Sequence, residues 1–239
     1  MEGVLFDLGV LYDGTLWQRW LWRQVHRLGH PCEFQNFAKA WDERFQPDVN
    51  RGLRPFNEAL SCFLLSRGLC PGAVSELVAA GGHERKRIET QDRPMVGVAA
   101  TLRRLSGAGF SLAVLADSDS PAPVLRQRLL RNGLGTCDLA VVTSRDVAAV
   151  QPEPAGYAAC LEMVGKPADA VAYVGRDHQR LAGARKMGLG TIALNAVATE
   201  PGGAEGPDVH LRRFEDLLNL LGAPAPVRTP WRLSIKKAA

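Results

Sequence analysis

Val4-Leu5-Phe6 is a short apolar run that stops at Asp7. Its length and β-favouring side chains suit a buried strand with a carboxylate emerging at its end. Such a carboxylate either caps a turn or faces a cleft as a reactive group. Asp117, Ser118 and Asp119 precede Pro121. They suit a turn and helix cap, and they also bring a hydroxyl and two carboxylates to one place. Asp177 and His178 adjoin and suit a surface loop, with His178 as an acid–base group the alternative. Arg19, Arg23 and Arg27 recur every four residues, as a solvated helix face does, or as a face that greets an anionic substrate would. Trp17, Trp20 and Trp22 read as packing residues, with base stacking as the alternative. The five cysteines, Cys32, Cys62, Cys70, Cys137 and Cys160, contain no CxxC pair. Neither a zinc site nor a disulfide framework is expected, and a reducing compartment is the default.

These residues need a scaffold, and the apolar pattern supplies one. Runs like that before Asp7 recur at Leu112 to Leu115, Leu139 to Val142, Val171 to Val174 and Thr191 to Leu194. Helical patterns lie between them, at Val98 to Leu105, Val124 to Leu130, Ala155 to Val164 and Leu181 to Met187. Strand–helix alternation predicts a parallel sheet with helices on both faces. Gly107, Gly133, Gly165 and Gly188 fall where helices need a left-handed cap. From Leu16 to Asp92 the periodicity is helical throughout, with turn signals at Gly29-His30-Pro31, Pro47, Pro55 and Pro71-Gly72. The expected division is a core of residues 1–15 and 93–222, a helical cap of residues 16–92 over the strands' C-terminal edge, and a flexible basic tail of residues 223–239. A short helix is expected at Phe214 to Leu221, after a loop-like Glu200 to Pro207.

The chain has 239 residues, enough for a core domain with an insert, and a mild formal charge of +4. Its basic residues are spread rather than blocked, which argues against nucleic-acid binding. No apolar run is long enough to cross a bilayer, and Asp7 interrupts the N-terminal run that a secretory signal needs. A cytoplasmic protein without a membrane or nucleic-acid partner is expected.

The ordered set of motifs resembles the haloacid-dehalogenase-type hydrolases over nearly the whole chain. Val4-Leu5-Phe6-Asp7-Leu8-Gly9-Val10-Leu11 is similar to that family's first motif. Pro94 to Val98 is similar to its run before strand two, Gln151-Pro152-Glu153-Pro154 with Tyr157 to its Lys-Pro-Asp-Pro segment, and Val174-Gly175 through Gly188 to its fourth motif. A second register, Asp13-Gly14-Thr15-Leu16, copies the latter half of motif one, but it leaves Asp7 unpaired in mid-sheet, which is costly. The resemblance implies a doubly wound parallel, Rossmann-like α/β core with a small all-helical cap inserted after strand one. It makes Asp7 the nucleophile that attacks phosphorus to form an aspartyl-phosphate. Mg²⁺ would be held by Asp7, the Gly9 carbonyl and Asp177. Ala116, Asp117, Ser118, Gln151 and Arg176 would line the substrate position.

The motif residues themselves have changed. Gly9 stands where a second carboxylate transfers the proton, help worth roughly 10²–10⁴-fold. Ala116 stands where a hydroxyl is usual, and Ser118 replaces it only if the loop shifts. Gln151 stands where a lysine holds the nucleophile. Arg176 stands where a metal-binding Asp is usual, and Arg180 where a second acid often sits. Arg176 or Arg180 is placed to restore positive charge, in a site that attracts anions without favouring Mg²⁺. Three functions remain open: a hydrolase of a small phosphorylated metabolite through Asp7, a silent descendant that binds an anion or a protein, and dehalogenase-type cleavage. The last tolerates Gly9 but still wants the missing lysine.

Overall fold

The computed structural model describes residues 1–134, 138–195 and 206–223. The expected tail beyond residue 223 and most of the Glu200 to Pro207 loop lie outside them. Six parallel strands form one sheet in the order β3-β2-β1-β4-β5-β6. They are β1 (Gly3–Asp7), β2 (Ser111–Ala116), β3 (Leu139–Thr143), β4 (Val171–Gly175), β5 (Gly190–Leu194) and β6 (Val209–Leu211). The first five follow the apolar runs of the sequence. β6 has no such run, because it is three half-exposed residues on the sheet edge.

Five helices follow β1: α1 (Leu16–Arg27), α2 (Phe34–Arg44), α3 (Gln46–Asn50), α4 (Phe56–Ser66) and α5 (Pro71–Gln91). The rest of the chain supplies α6 (Val98–Gly107), α7 (Ala122–Leu129), α8 (Ser144–Val147), α9 (Pro154–Val164), α10 (His178–Lys186) and α11 (Asp216–Leu220). Strand alternation sorts the side chains of β1. Val4 and Phe6 join one core with α6, α7 and α11, where Phe6 stacks on Phe214 at 5.6 Å. Leu5 joins the opposite core with Tyr157 and Cys160 of α9 and Leu181 and Ala184 of α10. By the same period, Asp7 points to the α9/α10 side.

Helices α1 to α5 bury a third core of their own, built on Leu21, Phe37, Trp41, Leu60 and Phe63. Trp17 and Trp22 belong to its margin and donate from their indoles to the carbonyls of Gly81 (3.1 Å) and Cys32 (2.8 Å). They serve packing, as buried indoles do when their N–H finds a partner. Arg19 lies over the Phe34 ring at 4.6 Å and donates to Thr15 Oγ1 at 3.0 Å, away from the central cavity. Asn50 ties this helical layer to the sheet by accepting from Ser144 Oγ at 3.1 Å, and Arg85 does so through Asp119 at 2.8 Å. Among the described residues, no helix is long and apolar enough to cross a membrane.

The strand order places the site. After β1 the chain moves to β2 and β3 on one side, then returns to β4 on the other. This reversal is the switch point at which open α/β sheets bind ligands, outside the carboxyl ends of the strands. Asp7 is the last residue of β1, beside Leu115 of β2, and the loop leaving β4 opens next to it.

Candidate active site

Asp7 is 5% exposed and lines a cavity of about 240 Å³ between the sheet edge and the helical layer. Its backbone starts a short 3₁₀ turn over Leu8–Val10, and its Oδ1 accepts from the Gly9 amide at 3.0 Å. A Cβ added at Gly9 would stand 3.6 Å from that oxygen. Position 9 therefore faces the carboxylate, and glycine leaves the space beside it without a second acid. Asp13 lies past the strand, exposed, in a turn where its Oδ1 accepts from the Thr15 amide and hydroxyl at 3.0 and 2.7 Å.

The central contact is made by Arg180 of α10. Its Nη1 donates to both oxygens of Asp7, at 3.1 and 3.0 Å, and its Nη2 lies 2.9 Å from Asp117 Oδ2. The side chains of Asp7 and Asp117 are 7% and 10% exposed and that of Arg180 is 29% exposed. The backbone of Arg180 is fixed at both ends. Its amide donates to Asp177 Oδ1 at 3.0 Å, and its carbonyl accepts from the Tyr157 hydroxyl at 2.8 Å. Asp117 leaves the end of β2, and its Oδ1 accepts from the Gln151 amide at 3.0 Å. Gln151 Oε1 in turn accepts from Tyr173 at 2.5 Å.

One guanidinium thus serves two carboxylates. Burial works against the charge on Arg180, but Asp7 and Asp117 outweigh it and hold its pKa above the usual arginine value. Burial also pushes Asp117 above the ordinary carboxylate range; Arg180 offsets part of that rise, and Asp7 adds to it.

The remaining residues marked by the sequence are dispersed. Ala116 is fully buried in the apolar core beneath the sheet edge and does not line the cavity. Ser118 lines it, but its hydroxyl accepts from the Ser120 amide at 3.1 Å to shape the turn. Gln151 is buried behind Asp117, and its Nε2 has no partner among the described residues. Arg176 points to Met95 Sδ at 3.2 Å, outside the cavity lining. Asp177 is the N-cap of α10, which begins at His178. The sequence pattern starts that helix at Leu181, three residues late, and so leaves Asp177 looking available as a ligand. Asp177→Ala is expected to cost about 1 kcal/mol of stability, as a lost N-cap does, and to leave turnover nearly intact. Denaturant unfolding together with an activity assay checks this, since a ligand would show the reverse pattern.

Of the three proposed metal donors, the Asp7 carboxylate is engaged by a guanidinium and that of Asp177 by a helix amide, which leaves the Gly9 carbonyl without an uncommitted carboxylate beside it. Among the described residues, no three His, Cys, Asp or Glu side chains are grouped to hold a metal ion. This donor set does not fit Mg²⁺.

The cavity wall is apolar at Leu8, Trp17, Trp41, Val49, Phe56 and Ile88. Its other arginines are also engaged. Arg85 binds Asp119 and Glu89, and Arg128 lies 3.4 Å from Asp92 and 3.7 Å from Glu89. Among the described residues, three arginines and five carboxylates (Asp7, Asp13, Glu89, Asp92 and Asp117) line it. The cavity therefore offers an anion no uncommitted cation. Sequence reasoning missed Arg85, Arg128 and Tyr173, which reach the site from distant segments.

A doubly wound parallel sheet, a helical insertion after β1 and a buried Asp at the switch point define a Rossmann-like α/β core with a cleft at the sheet edge. The chain belongs to the haloacid dehalogenase-like hydrolases, whose family model matches residues 1–188. No curated protein matches it. Among solved structures it is similar to a 2-haloacid dehalogenase from Pseudomonas syringae, with 19% identity, a TM-score of 0.63, and coverage of 93% of this chain and 98% of that one. An L-2-haloacid dehalogenase from Xanthobacter autotrophicus, solved with chloropropionic acid covalently bound, gives 20% identity and a TM-score of 0.64, covering 94% and 100%. A HAD phosphatase from Thermococcus onnurineus gives 21% and 0.56, covering 93% and 99%. At these identities the likeness establishes the fold.

Proposed function

We propose that this hydrolase works through Asp7 without a metal ion, displacing a leaving group from carbon rather than from phosphorus. The observation that carries the reading is the Arg180 guanidinium on both oxygens of Asp7. Dehalogenase-type cleavage tolerates glycine at position 9 but needs a cation on its nucleophile, which Gln151 cannot provide. Arg180 provides it from another segment. Phosphoryl transfer finds less support. It would need a proton donor at position 9, a hydroxyl at position 116 and a cation for the phosphoryl oxygens, and the cavity offers none of the three.

In this mechanism an oxygen of Asp7 attacks carbon, and the leaving group departs with the bonding pair, leaving an ester on Asp7. Water then adds to the Asp7 carboxyl carbon and passes a proton to Asp117. The ester C–O bond breaks, the product alcohol takes up a proton, and Asp7 is regenerated. The paired cations and apolar wall favour a small halogenated molecule without net negative charge. The covalently bound chloropropionic acid of the Xanthobacter autotrophicus dehalogenase supports the route by analogy of fold.

A silent binding cleft is the second reading. It is favoured by the three hydrogen bonds on the Asp7 carboxylate, which hold down its nucleophilicity. The test is halide release from short halo-alkanes, halo-alcohols and 2-halo acids, beside phosphate release from aryl phosphates with Mg²⁺, by the wild type and Asp7→Asn. Halide release that Asp7→Asn abolishes is the expected result. Phosphate release lost in the same variant would restore the phosphatase reading, and equal background from both proteins would leave the binding cleft.

A further inference from the structure

The position of Arg180 goes beyond holding a nucleophile. We infer that Arg180 is a covalently tethered replacement for a divalent cation, and that it conceals a latent metal site made by Asp7 and Asp117. This deepens the metal-free part of the function proposed above but does not depend on the leaving group.

Two observations of the structure and one of the sequence bear on it. The guanidinium joins carboxylates from the ends of two different strands, β1 and β2, at the switch point. It does so in the fork geometry that suits two carboxylates, with one Nη directed at each. Its backbone is clamped by Asp177 at the amide and by Tyr157 at the carbonyl, so the side chain is delivered from a fixed origin. The carboxylate that would serve a metal from this segment, that of Asp177, is spent on that clamp. Finally, charge has been exchanged between motifs: position 151 carries no cation, and position 180 carries one where the resemblance implies an acid.

The consequence concerns metal binding itself. With Arg180 present, a divalent cation would have to displace a buried positive charge from both carboxylates. With Arg180 removed, two carboxylates with little solvent face one gap without a counter-charge, and hard cations take oxygen donors of this kind.

The experiment is a titration of the full-length protein with Mn²⁺ alone, followed by the electron paramagnetic resonance of the free ion and by calorimetry. Wild type, Arg180→Ala, Arg180→Lys and Arg180→Ala/Asp7→Asn are compared. Wild type and Arg180→Lys are expected to bind no ion at this site. Arg180→Ala is expected to gain one ion per chain, with a rise in its melting temperature, and the second substitution to remove that ion. Saturable binding of one ion by wild type that Asp7→Asn eliminates would overturn the inference, whether or not Arg180→Ala folds. So would a folded Arg180→Ala protein, shown by circular dichroism, that binds none. Failure of the halide assay leaves these outcomes untouched, because the readout is metal occupancy rather than turnover.

Discussion

Arg180→Leu is expected to lose about 3 kcal/mol of stability at neutral pH, the low end of the roughly 3–5 kcal/mol that follows when one partner of a buried ion pair is removed. The low end applies because the Arg180 side chain is 29% exposed, so water already screens part of the interaction. The loss does not come from the missing packing. Leucine keeps a side chain of similar bulk there, but it leaves Asp7 and Asp117 nearly dry without their cation. The pH dependence separates this cause from others. In the wild type, Asp117 is already held above the carboxylate range by burial, and in the variant it rises further because its cation is gone. A carboxylate with a folded pKa above its unfolded value favours the folded state below the unfolded pKa, and that contribution disappears as pH rises through the folded pKa. The deficit of Arg180→Leu should therefore be largest near neutrality and shrink as pH falls toward about 4, the ordinary range of a free Asp. Urea unfolding at several pH values measures it. Adding Asp117→Asn to Arg180→Leu should recover part of the neutral-pH loss, since one uncompensated charge goes with it. A deficit that stays constant across this range would mean that Asp117 does not depend on Arg180 for its ionisation.

How much of this was legible in the residues follows from how local each feature is. Strands β1 to β5 could be read because each is an apolar run closed by turn residues, and the larger helices because their apolar stripes repeat. Helices α3 and α8 could not, since five and four residues are too few for a stripe to appear. Asp7 stood out because it ends the first run. Arg180 is one of two arginines placed to restore charge, but its pairing with Asp7 was not legible, because it lies 173 residues away and only the return of the chain to β4 beside β1 brings α10 over the carboxylate. Strand period alone places Asp7 on the Leu5 side of the sheet, but it says nothing about which helix covers that side. Asp177 looked free for a metal because the start of α10 was set too late, and helix boundaries are the least determined feature of an apolar pattern. The motif order gave the family. The contents of the cavity follow from residues that no motif contains, such as Arg85 and Arg128.

On the proposed route, the second half of the reaction falls to Asp117. Asp117→Asn is expected to slow steady-state turnover by about 10²–10⁴-fold, the range for loss of a positioned general base, while the ester on Asp7 still forms. Asparagine nearly preserves shape and can still accept from the Gln151 amide, so the loop after β2 should stay in place. What it cannot do is take a proton from water. Because burial pushes the pKa of Asp117 up, the wild-type rate should climb with pH through a midpoint above the ordinary carboxylate value, since the base works only when ionised. The variant should lose that acid limb. It should also accumulate the covalent ester, visible as added mass on the peptide that carries Asp7, because formation continues while hydrolysis stalls. A purely structural role predicts something else: both steps slow together, no ester builds up, and the acid limb remains. Gly9 sharpens the comparison. It leaves the carboxylate two residues from Asp7 missing, while of the other cavity carboxylates Asp13 is exposed and holds Thr15, and Glu89 and Asp92 pair with Arg85 and Arg128. Asp117 is the buried carboxylate that shares a guanidinium with Asp7. Rapid-quench kinetics on the wild type and Asp117→Asn, with a substrate that the halide assay identifies, decides between the two.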